Sequence, residues 1–273
     1  MDAIHSVGIV GLGLIGGSLA RDLAACGIRV HGFDEDQASL RAALDARVVT
    51  TPLDADLENA EGLDAVILAV PVTAALGILE RSAERLRRVP LITDVCSTKQ
   101  TLQAAAARLG LAESFIGAHP LAGDHRCGWD SAREGLFHSA TVYLCPGDAT
   151  PPPALERLSA LWRLIGAEPE IIDSTAHDRR LAFTSHLPQT VSTALVRVLA
   201  NVGIPLGQLG PGGRDMTRLA RSSPDVWTPI ALDNADRLCE AILEIEVQLA
   251  TVRNALAADD QRGVHAFFDT SPA

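Results

Sequence analysis

Residues Gly11-Leu12-Gly13-Leu14-Ile15-Gly16 follow the apolar run Val7-Gly8-Ile9-Val10 and lead into a stretch with helical periodicity. Few folds allow a buried strand to turn at once into a helix. Gly11 permits the tight turn, Gly13 lets a diphosphate approach the backbone, and Gly16 lets the helix pack closely on the strand. The start of that helix offers free N–H groups and the positive end of its dipole. A second apolar run, Arg29-Val30-His31-Gly32-Phe33-Asp34, ends in an acid where a ribose-binding carboxylate belongs. The pattern reads as a dinucleotide site built from Gly11, Gly13, Leu14, Ile15, Gly16 and Asp34, with Val70 at the end of a third strand and Ser97 near the nicotinamide. A purely structural glycine turn is the alternative. Asp34 can accept hydrogen bonds from a ribose 2′-hydroxyl but repels a 2′-phosphate; Glu35 and Asp36 add to that repulsion, and no basic residue stands beside them. The expected cofactor is therefore NAD, not NADP.

The rest of the first half continues the alternation. Strands are expected at Ser6–Gly11, Arg29–Asp34, Asp64–Pro71, Leu91–Val95, Phe115–Ala118 and Thr141–Cys145, and helices at Ile15–Cys26, Gln37–Leu44, Thr73–Arg88 and Lys99–Leu109. Continuous Val/Ile/Leu runs suit strands covered on both faces, so the fold class is an α/β doubly wound parallel sheet of Rossmann type. Thr150-Pro151-Pro152-Pro153 resembles a linker, but a helix at Ala154–Ile165 and a strand at Glu170–Asp173 can still close the sheet. The boundary is expected near Asp173, giving domains 1–173 and 174–273, the second all-α. Within the second, Ala231, Ala235, Leu238, Ile242, Ile245, Leu249, Val252 and Leu256 form a heptad seam. Such a seam packs inside its own domain or against a second copy.

Composition excludes several classes. A net charge of −11 argues against nucleic-acid or anionic-membrane partners. The longest uncharged apolar run, Ala65 to Val72, is too short to span a bilayer, and the N-terminus lacks the pattern of a signal peptide. Cys26, Cys96, Cys127, Cys145 and Cys239 are odd in number and contain no CxxC pair, so reduced thiols in a cytoplasmic protein are expected and no metal site.

Three clusters carry possible chemistry. His119 lies between Gly117 and Gly123, just past an apolar run, and Ser97 ends the neighbouring strand in Asp94-Val95-Cys96-Ser97-Thr98-Lys99. Ligands of open α/β sheets bind outside the carboxyl ends of strands. Ser97 can then hydrogen-bond the imidazole and fix its tautomer; a helix N-cap serine and a backbone-satisfied turn histidine are the plainer readings. Gly212-Gly213-Arg214-Asp215-Met216-Thr217-Arg218 places two arginines on one helical face, suited to a carboxylate between them or to simple ion pairing with Asp215. In Ser185-His186-Leu187-Pro188-Gln189, a helix kinks or starts at Pro188, and His186 and Gln189 share a face, serving a ligand or the core.

Together these segments, with His177-Asp178, resemble the prephenate/arogenate dehydrogenase family of tyrosine biosynthesis over nearly the whole chain. The resemblance implies a Rossmann domain, a helical dimerisation domain, a homodimer, and oxidative decarboxylation of a cyclohexadienol. It implies that His119 is the catalytic histidine, with Ser97 bonding it and the substrate hydroxyl. Arg218, flanked by Arg214 and Asp215, matches the arginine that holds a substrate carboxylate, and Ser185 and His186 match pocket positions. The chain departs from the pattern at Gln189, where prephenate-using members often carry histidine, and at Asp124-His125, where Thr-Glu is usual. Both departures bear on the substrate side chain and favour arogenate or dual specificity. An amino-substituted prephenate as substrate, or an inactive NAD-sensing relative, stays open. A β-hydroxyacid dehydrogenase is disfavoured, because that family uses a lysine of the helical domain and Lys99 is the only lysine here.

Overall fold

Alternate residues of the central strands enter different cores, as a sheet covered on both sides requires. In β1 (Ser6–Val10), Val7 and Ile9 join the core that also holds Leu19 and Leu23, while Val10 joins the one that holds Ile78 and Leu79. The computed structural model describes residues 3–123, 126 and 128–271. The chain divides into two compact units, one running through Asp178 and including Arg221–Asp233, the other Arg179–Ala220 with Asn234–Ala273.

In the first unit, β1 leads through α1 (Leu14–Ala25) to β2 (Arg29–Phe33), then α2 (Gln37–Asp45), the short β3 (Thr51–Pro52) and β4 (Ala65–Leu68). There follow α3 (Val72–Leu86), β5 (Ile92–Asp94), α4 (Gln100–Arg108), β6 (Phe115–Pro120), β7 (Thr141–Cys145), α5 (Pro152–Leu164), β8 (Glu168–Ile171) and the start of α6 (Ser174–Leu181). The sheet order is β3-β2-β1-β4-β5-β6-β7-β8. Pro52 and Pro169 sit in the two edge strands, where a missing N–H costs least.

One feature corrects the all-parallel expectation: β7 runs antiparallel to β6, with His119 opposite Tyr143. Among the described residues of the connection, the regular structure is a 3-10 turn at Trp129–Ser131. A parallel neighbour needs a full crossover, and an antiparallel one does not. The strand β6 also runs two residues further than expected, so His119 is part of the ladder instead of the turn beyond it.

Beyond α6 the helix passes through a π-helical stretch, Ala182–His186, into α7 (Leu187–Asn201). The helix therefore neither stops nor starts at Pro188; the missing donor falls in the first turn after a widened register. The remaining helices are α8 (Pro211–Thr217), α9 (Pro224–Asp233), α10 (Ala235–Ala257) and α11 (Gln261–Phe268). The heptad seam is broken at Asn234, so Ala231 lies on α9 and the other seven positions on α10. Of these Leu238 is buried, whereas Leu249 and Leu256 are exposed.

Candidate active site

The glycine turn has the shape its spacing requires. Gly11 adopts φ +93°, and a Cβ there would lie 2.4 Å from Ala69 O and 2.8 Å from Val70 Cγ1. A Cβ on Gly16 would lie 1.8 Å from Gly11 O, so α1 can sit this close to β1 only without a side chain. Over Gly13, the nearest atom among the described residues is Gly128 N at 4.0 Å, so these residues leave the approach to the helix start open. Leu14 and Ile15 face Gly123 from the first turn of α1. Asp34 binds the turn directly, accepting Leu12 N through Oδ2 (2.6 Å) and Asp36 N through Oδ1 (2.8 Å). Each oxygen keeps a lone pair for ribose hydroxyls. This geometry fits NAD, with the turn and α1 at the diphosphate and Asp34 at the ribose. Since opposing like charges costs several kcal/mol, kcat/KM for NAD should exceed that for NADP on the order of 100-fold. Initial rates with both cofactors check this, and a lower KM for NADP would contradict it.

At the carboxyl ends of β5 and β6 the structure assembles a buried polar cluster in the same unit. Lys99 is fully buried; its Nζ donates to Asp94 Oδ2 and to Ala118 O (2.7 Å). Asp94 also accepts Cys96 N (2.9 Å) and Ala118 N (3.4 Å). The pair therefore ties the end of β5 to β6 one residue before His119. Gly117 makes room for this, since a Cβ there would sit 3.0 Å from the Lys99 side chain.

His119 Nδ1 lies 2.9 Å from His177 Nε2, and His177 Nδ1 lies 2.8 Å from Asp178 Oδ1. Asp173 caps α6 by accepting Thr175 N and Ala176 N, which sets His177 and Asp178 in the opening of that helix. Asp178 in turn caps α4, accepting Lys99 N and Gln100 N, each at 2.9 Å. Anions are favoured at a helix start. Burial pushes the Asp178 carboxyl upward, but hydrogen bonds from His177, Gln100 and Lys99 hold it below its ordinary value. His177 is fully buried, and burial lowers its basicity despite the bond to Asp178.

Ser97 is half-buried and makes no hydrogen bond to His119. The partner on the imidazole Nδ1 is His177, 58 residues further along the chain. Nor is Ser97 the cap of α4, a place that Asp178 takes. The His177-Asp178 role was not derivable from spacing; adjacent helical residues do not ordinarily face each other. Asp124 and His125 lie outside the described residues, as does Cys127. Burial pushes the Cys145 thiol up to about 12 and raises Cys96 as well, so both stay protonated. Among the described residues, no group of three or more His, Cys, Asp or Glu is arranged to hold a metal ion, and no helix is long and apolar enough to cross a membrane.

The other expected residues lie in the second unit. Arg214, Asp215 and Arg218 are exposed. The Arg214 guanidinium donates to Leu209 O (2.7 Å), and no ion pair joins Asp215 to either arginine among the described residues. Ser185 is half-buried in the π-helical stretch. His186 is buried with Nδ1 3.2 Å from Asn234 Nδ2. Gln189 is buried and donates from Nε2 to Leu219 O (3.0 Å), leaving Oε1 buried without a partner.

Comparison with known proteins agrees with this geometry. Residues 19–171 match the family model "Prephenate dehydrogenase, nucleotide-binding domain", and residues 173–270 match "Prephenate dehydrogenase, dimerization domain". The chain is 33% identical to a prephenate dehydrogenase of Bacillus subtilis over 271 residues, 96% of this chain and 73% of that one. A solved structure of prephenate dehydrogenase from A. aeolicus, in complex with hydroxyphenyl propionate and NAD+, superposes with a TM-score of 0.87 at 27% identity, covering 97% of this chain and 95% of that one. Synechocystis arogenate dehydrogenase gives 0.80 at 29% identity, covering 96% and 95%. With both halves of the chain matched in order, this protein belongs to the prephenate dehydrogenase family of oxidoreductases.

Proposed function

We propose that this enzyme uses NAD to oxidise and decarboxylate a cyclohexadienol in tyrosine biosynthesis, turning arogenate into tyrosine, prephenate into 4-hydroxyphenylpyruvate, or both. The observation that supports this most is the hydrogen-bonded row His119, His177 and Asp178 in the unit that carries the glycine turn. Bound NAD supplies a hydride acceptor. His119 takes the proton of the C4 hydroxyl as hydride leaves C4, which requires a neutral imidazole, present above about pH 6.5 for an unshifted histidine. Loss of the ring carboxylate as CO2 makes the ring aromatic; the electrons of the broken C–C bond move to the new carbonyl oxygen, which takes the proton back from His119 to give the phenol. Ser97 binds the substrate hydroxyl. Arg218, with Arg214 and Asp215 beside it, holds a substrate carboxylate as a bidentate partner. Its grip on the departing carboxylate must stay modest, because stabilising the ground state more than the transition state slows the step.

Ser185, His186, Gln189, Asp124 and His125 meet the rest of the substrate in this reading. The Gln189 amide is oriented by Leu219 O, which fixes Oε1 as the open acceptor. A buried acceptor suits the ammonium of arogenate better than the keto oxygen of prephenate, a difference of about 1–3 kcal/mol. NADH formation with each substrate should therefore show kcat/KM at least about tenfold higher for arogenate. A preference for prephenate would refute the role of Gln189, and no NADH from either would refute the activity.

The nucleotide-binding domain is taken as 1–173, since β8 ends at Ile171 and Asp173 caps the next helix, and the helical domain as 174–273. A homodimer through the helical domain is favoured by the exposed Leu243, Val247, Leu249 and Leu256 on α10. Free thiols at Cys26, Cys96, Cys145 and Cys239 favour the cytoplasm.

A further inference from the structure

The direction of each hydrogen bond in the row is fixed from its far end. Asp178 Oδ1 and Oδ2 accept backbone N–H groups of Lys99 and Gln100, and Oδ2 also faces Gln100 Nε2 at 3.3 Å. An ionised carboxylate has no proton to give, so His177 Nδ1 must be the donor across 2.8 Å. Burial keeps His177 neutral, so its Nε2 carries a lone pair and can only accept. The proton between the two imidazoles then belongs to His119 Nδ1. A neutral His119 has one N–H, and with that on Nδ1 its lone pair is on Nε2.

We propose that His177 and Asp178 are positioning residues that hold His119 in the tautomer whose Nε2 is the base. The proposal rests on the reading of His119 as the base. In the opposite tautomer Nε2 would present an N–H to the substrate hydroxyl and could not take its proton. The ring partner of a histidine sets which nitrogen is protonated. Among the described residues, the charged lysine beside the row has its own counter-ion. Lys99 is held by Asp94, Tyr143 of β7 meets the His177 ring edge-on at 5.6 Å between centroids, and the Cys145 thiol stays protonated. The ionised group that orients the row is therefore Asp178.

Asp178→Asn tests this. Oδ2 serves both donors of Gln100, its N and its Nε2, and Thr175 Oγ1 holds the Gln100 amide by its oxygen, so the asparagine oxygen stays on that side. Its N–H2 then takes the Oδ1 side, gives up Lys99 N, faces His177 Nδ1 and reverses every bond of the row. In the full-length NAD complex, 15N NMR of labelled histidines should place the His119 proton on Nδ1 in the parent protein and on Nε2 in the variant. Turnover should fall about 10²–10⁴-fold, the upper figure being that of the equivalent change in a serine-protease triad, with NAD affinity unchanged. His177→Gln, whose amide can donate to Asp178 and accept from His119, should keep kcat within about tenfold of the parent, whereas His177→Leu should match Asp178→Asn. Parent-like turnover and tautomer in Asp178→Asn, or a parent His119 protonated on Nε2, would overturn the proposal. An active His119→Asn enzyme would instead overturn the reading of His119 as the base.

Discussion

Replacing His119 by asparagine is expected to leave NAD affinity within about twofold of the parent and to lower kcat by about 10²–10⁴, the range for loss of a general base. Asparagine keeps a donor at the place of Nδ1, so the bond to His177 Nε2 survives and the end of β6 keeps its packing. What disappears is a lone pair basic enough to take the hydroxyl proton. The proposed cofactor contacts, at the glycine turn and Asp34, are built by residues other than His119 and its partner His177. NAD titration by fluorescence, with steady-state NADH production, separates binding from chemistry. Near-parental kcat in this variant would rule out His119 as the base.

The second large effect concerns stability. Lys99→Met is expected to destabilise the first unit by about 3–5 kcal/mol, because it leaves the Asp94 carboxylate buried without its counter-charge. Both side chains have no solvent exposure, so water cannot take the place of the ammonium. The same substitution frees Ala118 O, the carbonyl just before His119, and so loosens the end of β6 as well. Urea unfolding followed by tryptophan fluorescence reads the loss, since Trp129 and Trp162 are both buried in this unit. The double variant Asp94→Asn with Lys99→Met should recover much of it, because neither partner is then a lone buried charge. A single variant as stable as the parent would show that the pair contributes little.

Much of the first unit could be read from periodicity. The runs that became β1, β2, β4 and β5 are continuous aliphatic stretches, and the residues between them carry helical spacing. The direction of β7 could not be read in this way, since a strand's composition is the same whichever way it runs. The available clue was the lack of a helical pattern between Pro120 and Thr141, where a parallel strand would need a crossover. The short β3 passed unseen because two residues, one of them proline, carry no alternation.

The site divides along the same line. Gly11, Gly13, Gly16 and Asp34 are local in sequence, and their spacing is itself the chemistry. His119, which the structure puts inside β6, was singled out from its place just past an apolar run. Its partner was not, because the pairing spans 58 residues and depends on where α6 opens relative to α4. Ser97 was the nearer candidate in sequence, and proximity along the chain misled. In the second unit, Asn234 breaks the seam by leaving helical geometry (φ −111°, ψ 31°) with its amide on His186, a tertiary bond that no heptad pattern announces.

The central claim is that hydride removal and loss of the ring carboxylate belong to one turnover. It is tested most directly by measuring CO2 and NADH together from a single cyclohexadienol substrate. Equal amounts of both, with an aromatic product, are expected at every time point. NADH formed without CO2, or CO2 released without NADH, would contradict it.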